Sequence, residues 1–234
     1  MDRRARENER NARDPGDLGC YDTPGEATRA LLATVRLPTL VWEPCAGKGD
    51  IRDVLEANGR QVVATDIRPR FRGIVQHDFF QPLPPKLFPR VAACRCIVTN
   101  PDFDMLPRGF IEQCLSQVDD VYLLLRVSFI AGGKPWRRQV LDKSGLRRIY
   151  VFADRLPMMH KKEHLEAGGK LSTSRMDFAW YWWSKGWRGH RSVHRMYWKE
   201  LQDVQALPPP GPKIPKNRCK VTPDMFPAEV ASGL

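Results

Sequence analysis

No stretch of this 234-residue sequence approaches the roughly 20 consecutive apolar residues of a membrane-spanning helix. No membrane partner is therefore expected. Residues 1–17 are a polar mixture of Arg, Asp and Glu and lack the apolar core of a secretion signal. Cysteine is sparse and unpatterned: Cys20, Cys45, Cys94, Cys96, Cys114 and Cys219 form no CxxC pair and have no His at zinc-ligand spacing. No metal site is expected, and a reducing, cytoplasmic compartment fits best. Cys94 and Cys96 are expected to share one face of a strand and to pack there. Acidic residues are also in deficit, 27 against 38 Lys and Arg, which leaves a net charge of +11. Such a balance favours an anionic partner, nucleic acid being the commonest; the bland alternative is charge that only confers solubility.

What is present suggests one domain with tails. Residues 1–17 have no periodic apolar positions to offset the entropy of ordering and read as a disordered charged tail. Residues 18–187 read as the folded domain, 188–206 as a basic C-terminal extension, and 207–234 as a tail too proline-rich for regular structure. Within the domain, strand candidates are 39–45, 61–67, 73–78, 96–100, 121–129, 146–153 and 176–184. Helix candidates are 25–35, 51–57, 105–117 and 135–142. Runs such as Cys96-Ile97-Val98-Thr99 are continuously apolar, as in strands buried on both faces of a parallel sheet. Strand–helix alternation predicts an α/β, doubly wound fold, and the last two strands, with no helix between them, predict an antiparallel hairpin closing the sheet edge.

Ligands of such sheets bind beyond the carboxyl ends of the strands. The first strand ends in Glu43-Pro44-Cys45-Ala46-Gly47-Lys48-Gly49-Asp50, a glycine turn that lets backbone approach a ligand closely. It is not a triphosphate loop, which needs GxxxxGK[ST], nor a full dinucleotide fingerprint, whose third glycine is missing. The second strand ends at Asp66, where an acid can bond ribose hydroxyls. The third ends in His77-Asp78-Phe79, where a carboxylate can accept from an adenine amino group beneath an aromatic ring. One acid at a strand end is ordinary; Glu43, Asp66 and Asp78 at three successive ends form a pattern.

At these residues the sequence resembles the class I S-adenosylmethionine-dependent amino methyltransferases. Glu-Pro-Cys-Ala-Gly-Lys-Gly is similar to their EPxAGxG loop, and Tyr21-Asp22-Thr23-Pro24 to their Y-x-T-P element. The resemblance covers about residues 20–187, is weakest over 80–95, and implies a Rossmann-like class I methyltransferase fold with a seven-stranded, mostly parallel sheet. It implies S-adenosylmethionine as cofactor. Tyr21, Thr23 and Glu43 would serve the methionine moiety, Gly47 and Gly49 the loop, Asp66 the ribose, and Asp78 with Phe79 the adenine. Pro24, Pro44, Ala46 and Ile67 complete the implied set.

The fourth strand ends in Asn100-Pro101-Asp102-Phe103, where the family holds [DNS]-P-P-[YFW]. An exocyclic base amine is a poor nucleophile because its lone pair is delocalised into the ring. A side-chain oxygen from Asn100 and the carbonyl of Pro101, each accepting one N–H bond, would aim that lone pair at the cofactor's methyl, with Phe103 offering a stacking face. The base would have to be flipped out or single-stranded. Asp102 departs from the family's second proline; it leaves both acceptors in place but removes a restraint on the turn. Pro44-Cys45 has the spelling of a covalent cytosine-methylating site but sits in the glycine loop, so Cys45 reads as a small buried residue.

The segment 175–187 carries an aromatic run similar to the closing strand of solitary, phage-associated adenine methyltransferases; most of its rings are expected to pack the sheet. Between Lys185 and Lys220 there are nine Lys or Arg against two acids, and His160, Lys161, Lys162 and His164 lie in the loop before the last strand. Basic residues interleaved with Trp187, Tyr197 and Trp198 suit phosphate contacts and base stacking. The expected activity is methylation of a nucleic-acid amino group, adenine in DNA ahead of RNA, with a homodimer or partner subunit for target recognition. From another class, the chain could be a catalytically silent nucleic-acid-binding subunit.

Overall fold

A computed structural model of the protein describes residues 22–157, 176–201 and 204–209. Its frame is an eight-stranded sheet: β1 (Leu40–Glu43), β2 (Gln61–Asp66), β3 (Val75–Gln76), β4 (Cys96–Thr99), β5 (Asp120–Arg126), β6 (Leu146–Phe152), β7 (Phe178–Ser184) and β8 (Ser192–Met196). The spatial order is β3-β2-β1-β4-β5-β7-β6-β8. Every neighbouring pair is parallel except β5–β7 and β7–β6, so β7 alone runs against the rest. The order reverses between β1 and β4, the switch point at which such sheets bind ligands.

The inner strands form as their composition dictates. All residues of β4, and all but the ends of β5, are buried, because both faces of the sheet are covered. One layer is built on α1 (Gly25–Thr34), whose Ala27, Ala30, Leu31 and Leu32 meet Val41, Val98, Leu124 and Trp180. The Trp180 indole N–H donates to the Ala27 carbonyl at 2.9 Å, fixing helix to sheet. α2 (Asp50–Ala57) adds Ile51 and Leu55 to the same layer. The other layer packs Phe79, Leu106, Phe110 and Ile111 against Trp42, Ile97, Leu123 and Trp183. Fully burying rings such as Trp180, Tyr181 and Trp183 stabilises by roughly 2–3 kcal/mol each.

Several expectations need correction. The sheet has eight strands rather than seven, and the eighth comes from 188–206, the segment read as an extension beyond the domain. β6 and β7 are antiparallel as expected, but β7 inserts between β5 and β6, and β8 rather than the hairpin forms the edge. The strand expected over 73–78 is only Val75–Gln76, because as the other edge it pairs just with Thr65 and Asp66. The helix expected over 105–117 is two pieces: a 3-10 helix (Phe103–Arg108) and α4 (Phe110–Gln117). Pro107 cannot continue an α-helical hydrogen-bond ladder, and Gly109, at φ 85°, turns the chain in the left-handed region between them. α3 (Phe88–Ala92) was not foreseen. A short helix, α5 (Pro135–Arg138), runs into a π-turn at Gln139–Lys143. Cys94 and Cys96 lie on opposite faces, since Cys94 precedes β4 and bonds the Arg90 carbonyl. Leu207, placed in the tail, docks its N–H on the Leu32 carbonyl at 2.8 Å.

Candidate active site

Four strand ends converge on a cleft of about 380 Å³. β1 brings Glu43 and the glycine loop, β2 brings Asp66, the segment after β3 brings Asp78, and β4 brings Asn100 to Phe103. Thr23, Pro44, Ala46, Gly47, Ile67 and Phe79 also border it. Pro24 and Gly49 do not: Pro24 caps α1, and Gly49 caps α2. Tyr21 and the basic loop 160–164 lie outside the described residues.

The glycine loop owes its shape to left-handed residues. Gly47 has φ 54° and Gly49 φ 91°, and the Gly49 N–H returns to the Ala46 carbonyl at 2.6 Å. A Cβ on Gly49 would also meet the Arg52 guanidinium at 2.7 Å. Asp66 holds this turn from the next strand: one carboxylate oxygen accepts from Gly47 N at 2.8 Å and the other from Arg68 N at 2.7 Å. The acid expected to serve a ribose is thus first an organiser of the loop, and any ligand hydroxyl must share its remaining lone pairs.

Glu43 sits in a costly environment. It is 1% exposed, and its Oε2 is buried with no hydrogen-bond partner. Burial pushes its pKa well above the ordinary carboxylate range; a main-chain bond from Arg52 and that residue's charge pull the other way without prevailing. A buried, unpartnered acceptor is expensive and calls for a donor from outside the chain. The cationic ammonium of an amino acid is a donor of the right chemistry.

Polar contacts tie the segment before α1 to this loop. Thr23 N donates to Asp50 Oδ2 at 3.1 Å, and Lys48 Nζ pairs with Asp22 Oδ2 at 2.9 Å. Burial, and then the charge of Asp22, raise the pKa of Asp50. The Thr23 hydroxyl accepts from Asn100 Nδ2 at 3.1 Å, which orients the amide at the end of β4. Asp102 caps the following 3-10 helix, its Oδ1 accepting from Asp104 N at 3.2 Å.

Two aromatic assignments shift. Phe79 borders the cleft but is 3% exposed, its ring packed 5.4 Å from Trp42 and 4.5 Å from Phe110. Its neighbour Phe80 is half-buried with the Arg108 guanidinium 4.3 Å above its ring, and is the more accessible aromatic surface. One face of Phe103 is covered by Arg126, 4.7 Å from its centroid. Cys45 is half-buried in the cleft wall, its Sγ 3.8 Å from Met105 Sδ, rather than buried as expected. Sequence reasoning also missed Asp22, Lys48, Asp50, Arg68, Arg70 and Arg108 around the cleft. An acid opening α2 was the one visible signal among them.

The sequence matches no family model and no curated protein. Solved structures do resemble it. A protein from Pyrococcus horikoshii described provisionally as an RNA methyltransferase aligns with a TM-score of 0.50 and 16% identity, over 74% of this chain and 91% of that one. A predicted O-methyltransferase from Agrobacterium tumefaciens aligns at 0.50 and 10% identity, over 81% and 100%. A modification subunit from Vibrio vulnificus, ascribed provisionally to a type I restriction enzyme, scores 0.46 at 11% identity; the match covers 82% of this chain but about half, 49%, of that one. The strand order, the lone antiparallel β7 and the two likenesses at a TM-score of 0.50 agree: the chain has the Rossmann-like class I methyltransferase fold.

Proposed function

We propose that this chain binds S-adenosylmethionine in the cleft and transfers its methyl group to the exocyclic amino group of a nucleic-acid base, adenine in DNA. The observation that carries the reading is the meeting, in one cleft, of the unpartnered Glu43 oxygen with the Asn100-Pro101 pair of acceptors. Glu43 and Thr23 would hold the methionine end, and Asp66 and Asp78 the nucleoside end. The cofactor supplies an electrophilic sulfonium methyl. The chain's own contribution is placement: the Asn100 side-chain oxygen and the Pro101 carbonyl each accept a hydrogen bond from the amine and turn its lone pair toward the methyl carbon; as the N–C bond forms the S–C bond breaks, the thioether leaves, and the methylated nitrogen loses one proton to water. Asp102 is held by Asp104 N and is not needed as a base. The net charge of +11 supports a polyanionic substrate, and Asn-Pro-x-Phe resembles the site of the DNA adenine enzymes.

Tritiated methyl transfer, offered duplex DNA, single-stranded DNA, RNA and protein in separate reactions, tests this. Label recovered in N6-methyladenine of DNA is expected. Label in none of the four would sink the reading, and label in RNA alone would move the substrate but not the chemistry.

A further inference from the structure

We propose that Arg126 is a substrate-binding residue that takes the phosphodiester of the nucleotide presented to Asn100 and Pro101. The inference deepens the function proposed above and rests on it. Arg126 ends β5, next to β4 in the sheet, and its guanidinium lies 4.7 Å from the centroid of Phe103, the aromatic residue of the Asn100–Phe103 motif.

An unpaired charge placed beside the motif is the core of the case. Arg29, Arg52, Arg95, Arg155 and Arg191 each pair with a carboxylate. Among the described residues Arg126 has no ion pair, and its Nε is buried with no hydrogen-bond partner; Arg60, Arg137 and Arg147 share both features, but of the four Arg126 is the one whose guanidinium lies over a ring of the Asn100–Phe103 motif. Its backbone, by contrast, is pinned. The Tyr181 hydroxyl donates to the carbonyls of Arg126 and Val127 at 3.3 and 3.1 Å, and Val127 N donates to the Asp177 carbonyl at 2.8 Å. A fixed main chain thus carries a planar cation that lacks an anion.

The guanidinium lies over the Phe103 ring, and arginine's planar fork suits phosphate, which it binds through two parallel bonds. A phosphate lies one sugar away from the base it belongs to. A cation beside Phe103 is therefore placed for the backbone of the same nucleotide whose amine reaches Asn100. The base itself would use the face of Phe103 that Arg126 leaves uncovered.

The test uses the full chain and a fluorescently labelled single-stranded DNA oligonucleotide. Anisotropy titrations across a range of salt would compare wild type, Arg126→Ala, Arg126→Met and Arg126→Lys, with calorimetric titration of S-adenosylmethionine on each. Arg126→Ala and Arg126→Met should bind DNA roughly 10-fold more weakly and reduce the slope of log affinity against log salt by about one. Arg126→Lys should keep most of the slope, and cofactor affinity should stay within a few-fold throughout. Met preserves the cover on Phe103, so it answers if Ala misfolds. A wild type with a steep slope that Met and Lys both leave unchanged would overturn the assignment while sparing the proposed function. So would affinity lost with the slope intact, the mark of packing alone. A wild type that binds no nucleic acid would remove the proposed function itself, and this inference with it.

Discussion

Replacing Glu43 by Gln should move two measurements in opposite directions. In the ligand-free protein Glu43 is buried, its Oε2 has no partner, and its pKa lies well above the ordinary carboxylate range. An acid whose folded pKa is raised binds its proton more tightly when folded. Its contribution is fully present below the unfolded pKa and is lost as pH rises through the folded one. At neutral pH, above the unfolded pKa, Glu43 therefore costs stability. The amide of Gln cannot ionise but still leaves one polar group poorly served, so a gain of about 1 kcal/mol is expected, at the low end for unsatisfied groups. For a domain of this size that raises Tm by about 2–4 °C. The same change removes the charge proposed to meet the ligand's ammonium, at about 1.5–3 kcal/mol, or roughly 10- to 150-fold in Kd. Thermal melts from pH 5 to 8, with and without S-adenosylmethionine, read both effects. The substituted protein should melt higher and with a flatter pH profile when ligand-free, yet gain less from ligand. A lower ligand-free Tm at pH 7, or unchanged cofactor affinity, would refute the reasoning.

Asn100→Ala should abolish methyl transfer while calorimetric cofactor affinity stays within a few-fold, because its proposed contact is realised in the transition state; joint collapse of both would move Asn100 to the cofactor. Asp66→Asn should lower the ligand-free Tm by several degrees, a cost of about 1–3 kcal/mol, since an amide cannot accept from both Gly47 N and Arg68 N. An unaltered melt would return Asp66 to a purely ligand-facing role. Asp102→Pro should fold and stay active: Asp102 has φ −61°, which proline adopts without strain, and the lost cap on Asp104 costs about 1 kcal/mol, much of it regained from the unfolded state. An active wild type silenced by this change would give the Asp102 carboxylate a direct role.

The parts of the fold that could be read in the sequence are those whose burial leaves a local trace. β4 and β5 are covered on both faces and show as apolar runs, and Gly47 and Gly49 stand where positive φ demands glycine. β8 left no such trace. Only Met196 of Ser192–Met196 is buried, because an edge strand needs little apolar surface to pair, and its basic side chains read as a solvated extension. Five residues of α3 are too few to show a helical period. At the site, strand-end acids were visible as a series, but their work was not. Asp66 reaching Gly47 N, and Thr23 linking Asp50 to Asn100, depend on residues 19 to 77 positions apart. The neighbouring rings of Phe79 and Phe80 could not be told apart in sequence; only one can join Trp42 and Phe110 in the core.

The proposed reaction asks one basic chain to hold two partners of opposite charge, and the structure sorts its charges accordingly. A sulfonium cofactor with an ammonium group would be disfavoured near a surface of net charge +11. Seven acids, Asp22, Glu43, Asp50, Asp66, Asp78, Asp102 and Asp104, border the cleft against four cations, Lys48, Arg68, Arg70 and Arg108, and Lys48 is paired with Asp22. The cleft thus offers carboxylates to a cationic ligand at short range, where salt screens buried pairs little. Much of the uncompensated positive charge stands elsewhere: Arg126 beside Phe103, and the exposed Arg188 and Arg195 around β8. The exposed Arg188 and Arg195 would meet a polyanion over distances comparable with the Debye length of about 8 Å at physiological salt. Rising salt should therefore weaken nucleic-acid binding steeply and leave S-adenosylmethionine binding nearly unchanged. Parallel titrations at 50 and 200 mM salt, values chosen to span about a doubling of the Debye length, measure both. Equal sensitivity of the two ligands would mean that both are held by the same exposed charges, and the division between an acidic cleft and a basic exterior would have no functional content.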